Sequence, residues 1–424
     1  MKTCAAAILL ALLCTVGRAP AAEPAAGDKA ENPLAKLPSK PEGRHIEKLK
    51  ALGDDSWVDL GCPAADPRWG REGVARGRAF SPRMTCAPDL GGAFFCGTGG
   101  HGFVKTDGHY MDDLWFYDAN AHRWICVYPG ADKSTKLHLD KNGFEVNEQG
   151  DHIPVSYLSH CYYNTTYNTD LRLYQIAWTQ CPWWGAALPQ RWEWLDQTVP
   201  AVAKRSYGNV GSVIGHMKHP LFWDVAKGKW ERRLVTGPGP HHDRYESVLE
   251  YIPSLKKTFF LSFNGSTWLY DYAANTWTAG PKCPLKLSYE LVGGCDSKRE
   301  CIYVGKGKEG LARLDLKTNT WQEVKGQGQP ESVGGSSTTW NFDSANGVFV
   351  VFFRHGSTYV YDPDANKWTE QPGGCGYSGV PGAKHMMTHG FYDAEMNVHY
   401  LYLAGDSNNN GATMMAYRYR NLKK

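Results

Sequence analysis

Residues 267–277 read TWLYDYAANTW and contain the clearest structural pattern of the chain. The apolar run ends at Asp271, whose side chain can accept hydrogen bonds from the backbone ahead of it and so start a turn. The turn is polar, and Trp277 opens the next apolar run. This stretch therefore predicts a β-hairpin whose Trp packs against a neighbouring structural unit.

The same pattern of an apolar or aromatic residue, an Asp, five variable residues and a Trp occurs five times. Its members are Asp118 with Trp124, Asp224 with Trp230, Asp271 with Trp277, Asp315 with Trp321, and Asp362 with Trp368. The last four Asp residues follow one another at intervals of 47, 44 and 47 positions. A fixed period of about 50 residues indicates a repeat architecture.

Composition agrees with a protein made of short strands. The chain has 424 residues, of which 42% are hydrophobic and 13% aromatic, and this excludes wholesale disorder. Its 46 Gly, 16 Trp and 23 Tyr are typical of many tight turns and aromatic packing. The net charge of +3 provides no strongly basic surface, so nucleic acid is excluded as a partner.

Each repeat contains a second hairpin ahead of the Asp-to-Trp turn, as in residues 251–262 (YIPSLKKTFFLS). Each unit is therefore predicted to be a sheet of four short antiparallel strands. One such sheet cannot bury both of its faces alone. Radially arranged sheets bury one another and leave only short edges.

With five repeats over about 370 residues, the chain resembles the kelch-repeat β-propellers of the galactose-oxidase-like central domain superfamily. The repeats are degenerate, because the double glycine that the family has after the second strand is present at that place only in the first unit, as Gly99-Gly100. The resemblance implies an all-β propeller.

We predict six blades. The interval from Asp118 to Asp224 is twice the period, so seven blades is the alternative. Residues 167–178 (YNTDLRLYQIAW) read as the first hairpin of the unit that ends at Trp230, and the excess then forms insertions near 130–156 and 180–216.

The ring is predicted to close through the two ends of the chain. Residues 399–405 and 415–419 read as two strands of a last blade that lacks its Trp-bearing strand. Residues 56–60 (SWVDL) supply such a strand near the other end. We expect this N-terminal strand to complete the final blade.

The first segment carries the pattern of an export signal. Lys2, the apolar residues 5–16 and the small residues 19–22 predict a signal peptide over 1–22, with lipid anchoring at Cys14 or an uncleaved anchor as alternatives. Residues 23–45 read as a flexible linker and 46–424 as the propeller. We expect a protein that is secreted, periplasmic or at the cell surface, and not transmembrane after cleavage.

The cysteines leave two alternatives open. Cys86 with Cys96, and Cys295 with Cys301, flank turns and form either disulfides or buried thiols. Because no CxxC pair and no second ligand cluster beside His241-His242-Asp243 occurs, we expect no metal and no cofactor.

In a propeller, the loops that enter the first strands and those that join the second and third strands share one face, at the mouth of the central channel. Ligand sites favour such mouths. The paired N–H groups of an Arg guanidinium suit carboxylates, and Asn and Glu side chains suit hydroxyl groups. Alternatively, polar residues line the mouth simply because it is filled with water. The positions that alignment of the hairpins places there are Ser81, Arg83, His160, Tyr162, Arg244, Glu246, Ser288, Glu290, Ser336, Ser337 and His385, together with His101, Asn264, Lys306, Arg354, His355, Asp406 and Asn408.

The insertion near 180–216 is rich in Trp, and we expect it on the same face. It contains Trp183, Trp184, Trp192 and Trp194. Exposed Trp side chains stack on sugars or anchor protein partners. Alternatively, the four rings form a small core of their own under a long loop.

These features predict a secreted, monomeric binding module for a carbohydrate or a protein partner. The family resemblance implies two alternatives, a sugar-acid mutarotase or epimerase with Glu246, Arg244 or Glu290 as acid–base groups, and a protein-assembly scaffold. A copper radical oxidase needs a Cys-linked Tyr, two His and a second Tyr. These residues cannot be assigned to positions of this sequence one by one, so we do not expect this activity.

Overall fold

The computed structural model describes residues 32–78, 80–97, 112–130, 138–142, 144–154, 161–177, 218–240, 247–287, 291–335, 337–353, 356–373, 388–404 and 411–421. These residues form six four-stranded antiparallel sheets. The first strand of each sheet contacts the first strands of both neighbouring sheets, which closes a ring. The protein is an all-β, six-bladed propeller, so the prediction of six blades is confirmed over seven.

The blades follow one another along the chain, each with its first strand innermost. After β1 (Ser56–Gly61), blade 1 contains β2 (Thr85–Ala87), β3 (Gly92–Phe95), β4 (Leu114–Asp118) and β5 (Arg123–Tyr128). A small hairpin of β6 (His138–Leu139) and β7 (Glu145–Val146) precedes blade 2, which contains β8 (Thr165–Asn168), β9 (Leu173–Ile176), β10 (Leu221–Asp224) and β11 (Lys229–Arg232). Blade 3 contains β12 (Val248–Ile252), β13 (Lys257–Leu261), β14 (Thr267–Asp271) and β15 (Thr276–Ala279).

The second half of the ring has the same order. Blade 4 contains β16 (Leu291–Asp296), β17 (Cys301–Lys306), β18 (Gly310–Asp315) and β19 (Thr320–Val324). Blade 5 contains β20 (Thr339–Asp343), β21 (Val348–Phe352), β22 (Thr358–Asp362) and β23 (Lys367–Gln371). Blade 6 contains β24 (Thr388–Asp393), β25 (Val398–Leu403), β26 (Thr413–Arg418) and, as its outermost strand, β1.

Strand β1 closes the ring, as predicted. It pairs antiparallel with β26, and Trp57 stands opposite Tyr417. The Trp57 ring lies 4.8 Å from that of Tyr417 and 5.3 Å from that of Phe352 in blade 5. The N-terminal strand therefore joins the last blade by backbone pairing and by aromatic packing.

The Asp-to-Trp turn has the predicted local structure. Asp271 Oδ1 accepts hydrogen bonds from the backbone N–H groups of Ala273 and Ala274, both at 3.0 Å. Asn275 takes a φ of 53°, a left-handed conformation that Asn tolerates better than most residues. Trp277 then pairs directly with Tyr270 and is buried.

The residues ahead of β1 pack on the face where the turns between third and fourth strands lie. Helix α1 (Arg44–Ala51) follows a segment whose Leu34 is buried. Asn32 Nδ2 donates to the Val225 carbonyl of blade 2 (2.6 Å), and Ser39 Oγ donates to Asp118 of blade 1 (2.7 Å). Part of the predicted linker therefore contacts two blades. Residues 1–31 lie outside the described residues.

Part of the insertion near 130–156 packs on blade 2. The backbone N–H of Arg232, in the outer strand β11, donates to His152 Nδ1 (3.2 Å), and its guanidinium lies 4.3 Å from the centre of the Phe144 ring. Lys229 Nζ lies 3.1 Å from Asp151. The hairpin β6–β7 therefore belongs to a segment that covers the outer strand of blade 2. Residues 178–217, with the whole of the second insertion, lie outside the described residues.

Of the two alternatives for the cysteines, the structure shows thiols. All eight described cysteines are thiols. The register of β2 and β3 places Ala93 opposite Cys86, so Cys96 is too far along the strand to pair with it. In blade 4, Ile302 stands opposite Cys295.

No helix in the described part of the chain has the length and hydrophobicity needed to cross a membrane.

Candidate functional site at the channel mouth

The antiparallel order of the strands fixes one face of the ring on which each innermost strand begins and each second strand ends. We call this the channel-mouth face. It is bordered by the described residues Arg83, Asn164, Ser247, Leu287, Thr338 and Thr388 ahead of or at the start of the innermost strands.

Most of the predicted site residues lie outside the described residues. They are His101, His160, Trp183, Trp184, Trp192, Trp194, Arg244, Glu246, Ser288, Glu290, Ser336, Arg354, His355, His385, Asp406 and Asn408. Those that the structure places are Ser81, Arg83, Tyr162, Asn264, Lys306 and Ser337.

Arg83 is held by an acidic partner inside the channel. Its guanidinium makes two contacts of 2.9 Å with the two carboxylate oxygens of Glu250, on the innermost strand of blade 3, and Nη1 donates to the Leu249 carbonyl at 3.0 Å. The Arg83 side chain is 18% exposed and that of Glu250 only 6%. Nη2 donates a hydrogen bond to Oε2, whereas Oε1 is in ion-pair contact with Nη1 without a hydrogen bond. This is a buried ion pair with one charge-assisted hydrogen bond, and no sequence pattern indicated its acidic partner.

For each of the two groups, burial and the charge of the partner shift the pKa in opposite directions. Burial raises the pKa of Glu250, and Arg83 offsets only part of that rise. Burial also lowers the pKa of Arg83, but the Glu250 carboxylate outweighs this, and the pKa lies above its usual value. The guanidinium therefore stays charged, and removing it would leave an isolated carboxyl group in the channel.

Tyr163 spans the channel between opposite blades. Its hydroxyl donates to the Thr338 carbonyl (2.8 Å) and accepts from the Trp340 N–H (2.7 Å), so it joins blade 2 to blade 5. The Arg83 guanidinium lies 5.6 Å from the Tyr163 ring centre. Because Arg83, Glu250 and Tyr163 cross the ring below the mouth, these three side chains form a floor to the mouth. We call them the channel floor.

Polar side chains fix the starts of the innermost strands. Ser81 Oγ accepts from the Cys161 N–H (3.1 Å), and the Ser81 carbonyl contacts His389 Nδ1 at 2.6 Å. Both the N–H and the Oγ of Ser247 donate to Asn164 Oδ1, at 3.0 and 2.8 Å. Burial lowers the pKa of His389 to about 3, so this ring is neutral and structural. These contacts hold the mouth of the channel in one arrangement.

Tyr162 and Ser337 precede the innermost strands β8 and β20, whereas Asn264 and Lys306 lie at or after the ends of second strands. Asn264 is exposed, and its Oδ1 accepts from the Ser266 N–H and from Ser262 Oγ, both at 2.8 Å, which shapes the turn that follows β13. Lys306 Nζ donates to the Lys286 carbonyl at 2.9 Å and lies 3.4 Å from Glu309. The partners of Asn264 and Lys306 are distinct from those of Arg83.

No cluster of three or more His, Cys, Asp or Glu side chains suited to a metal ion occurs within the ranges that the structure describes.

Comparison with known proteins adds little to the geometry. No protein-family model and no curated protein matches the chain. Among solved structures, the chain is similar to an auxiliary nutrient binding protein from Bacteroides thetaiotaomicron VPI-5482. The identity is 12% and the TM-score 0.45, and the match covers 85% of this chain and 75% of that one.

Proposed function

We propose that the protein is a secreted, kelch-type binding module that takes a carbohydrate or a protein partner at its channel-mouth face. The observation that carries the proposal is the channel floor. Its side chains engage one another and the backbone, so they are held in place before any ligand arrives. A rigid floor reduces the entropy that a ligand must overcome when it orders the site.

The proposed ligand-binding residues are attached to anchored positions of this face. Arg244 and Glu246 precede Ser247, which is fixed by two hydrogen bonds to Asn164. His160 precedes Cys161, whose N–H donates to Ser81. Arginine and carboxylate groups next to these fixed positions suit a ligand with carboxylate or hydroxyl groups.

The Trp-rich insertion favours a sugar ring or a protein side chain as the group that is bound. Trp183 and Trp184 follow blade 2's second strand, which ends at the channel-mouth face. Their indole rings would supply the stacking surface that polar loops lack.

A glycan array combined with a thermal-shift screen of sugars and sugar acids tests the proposal. We expect a ligand to raise the melting temperature by mass action. The shift should be lost in Arg244→Ala and in the double variant Trp183→Ala/Trp184→Ala. The control Lys317→Ala removes an exposed cation from a turn on the opposite face and should leave the shift unchanged.

Binding that survives the channel-mouth variants but is lost in Lys317→Ala would refute the site. Turnover of a sugar acid by the wild type, abolished in Glu246→Gln, would instead support the enzyme alternative.

A further inference from the structure

Two buried thiols meet across the boundary between blades 1 and 2. Cys96 directly follows β3 of blade 1, and Cys161 lies four residues ahead of β8 of blade 2. Their side chains are 3% and 4% exposed, and their Sγ atoms lie 3.9 Å apart. The two cysteines are 65 positions apart in the chain, and the tertiary structure alone brings them together.

The side chain of Cys96 already points into blade 2. Its Sγ lies 2.8 Å from the hydroxyl of Tyr174, which belongs to β9 of that blade. The Tyr174 ring is itself fixed by stacking on Phe94, with ring centres 4.7 Å apart. Cys96 is therefore oriented across the boundary by a rigid neighbour.

The remaining distance is small. A disulfide has an S–S length of about 2.05 Å, so the two sulfur atoms have to approach by about 1.9 Å. Rotation about the Cα–Cβ bonds of the two cysteines is the motion that brings the sulfur atoms together.

We propose that Cys96 and Cys161 form a disulfide that links blade 1 to blade 2 in the oxidised protein. The oxidant is a low-molecular-weight or protein disulfide. The two cysteine thiols give up their protons and two electrons, one S–S bond forms between blades, and the S–S bond of the oxidant is reduced to two thiols. Because both cysteines are buried once the blades have packed, the exchange takes place while the chain folds.

The disulfide would connect two blades at the channel-mouth face. The backbone N–H of Cys161 donates to Ser81, so the cysteine sits in the network that fixes the start of blade 2's innermost strand. A covalent bond there restricts the unfolded chain and ties the two blades together at the mouth. It is independent of the proposed ligand.

Peptide mapping of the wild-type protein tests the proposal directly. The protein is refolded in a glutathione redox buffer, its remaining thiols are blocked with N-ethylmaleimide under denaturing conditions, and it is digested without reductant. We expect a cross-linked peptide pair that contains Cys96 and Cys161 and separates on reduction. Reductant should also lower the melting temperature, by about 5 °C for a closed loop of this length.

The variants give the matched control. Cys96→Ser should make the melting temperature independent of reductant, whereas Cys283→Ser, at another buried thiol, should keep the dependence. Alkylation of both Cys96 and Cys161 in the unreduced protein would overturn the proposal, as would a peptide that links Cys161 to Cys181 instead. If Cys96→Ser fails to fold, the mapping of the wild type decides alone.

Discussion

Replacing Arg83 by Met is the sharpest test of the channel floor. Methionine keeps most of the aliphatic length but removes the charge and the donors that contact Glu250 and the Leu249 carbonyl. Removing one partner of a buried ion pair costs about 3–5 kcal/mol of unfolding free energy. Because the guanidinium is 18% exposed, we expect Arg83→Met to lie near the lower end, at about 3 kcal/mol.

The cost should depend on pH. Without Arg83, the pKa of Glu250 loses the interaction that offsets the effect of burial, so it rises further above its usual value. A carboxyl group whose folded pKa exceeds its unfolded pKa binds more protons in the folded state. The stability of Arg83→Met should therefore fall as pH rises, and the loss relative to the wild type should be larger at pH 8 than at pH 5.

Urea unfolding followed by Trp fluorescence at the two pH values measures both effects. Arg172→Met is the matched control, since its ion pair with Asp89 spans 3.0 Å but the two side chains are 42% and 32% exposed. We expect that control to cost about 1 kcal/mol or less. An Arg83→Met loss as small as the control, with no pH dependence, would refute the account of the floor.

Three further changes probe the ring. Trp57→Ala removes a half-buried ring between two blades and should lower the unfolding free energy by about 2 kcal/mol; an unchanged urea midpoint would contradict the closing role of β1. Tyr163→Phe leaves the Thr338 carbonyl and the Trp340 N–H without their hydroxyl partner and should lower the unfolding free energy by about 1–3 kcal/mol. An unchanged unfolding free energy in the same assay would show that water replaces the hydroxyl. His389 has a folded pKa of about 3, so wild-type stability should fall as pH drops below about 6.5, by up to about 1.4 kcal/mol per unit. Equal slopes for the wild type and His389→Gln between pH 5.5 and 4.5 would exclude this contribution.

The repeat could be recognised in the sequence because the interactions that form it join residues close together in the chain. Asp271 and Trp277 are six residues apart, and the turn hydrogen bonds and the Tyr270–Trp277 pair form within one hairpin. The repetition of this unit, together with its inability to bury both faces, predicted a ring of sheets. The Trp in residues 56–60 likewise predicted the strand that completes blade 6.

The hairpins formed by the first and second strands were predicted, but the Asp residues that cap their turns were not. Asp296 also accepts hydrogen bonds from the two backbone N–H groups ahead of it, at 3.1 and 3.0 Å, and Asp343 caps the corresponding turn of blade 5. These residues lie in the turns between first and second strands. Since no Trp follows at the fixed spacing, the Asp alone did not mark them.

The structure of one blade, the number of repeats and the strand that closes the ring could all be predicted from the amino-acid sequence, because each depends on residues close together or on a repeated pattern. The partner of Arg83, which lies 167 positions away, and the partner of Tyr163, 175 positions away, are known from the folded structure alone. It also placed Cys161, rather than Cys86, beside Cys96. Contacts across the channel and between blades depend on how the sheets meet around the axis, and no local pattern carries that information.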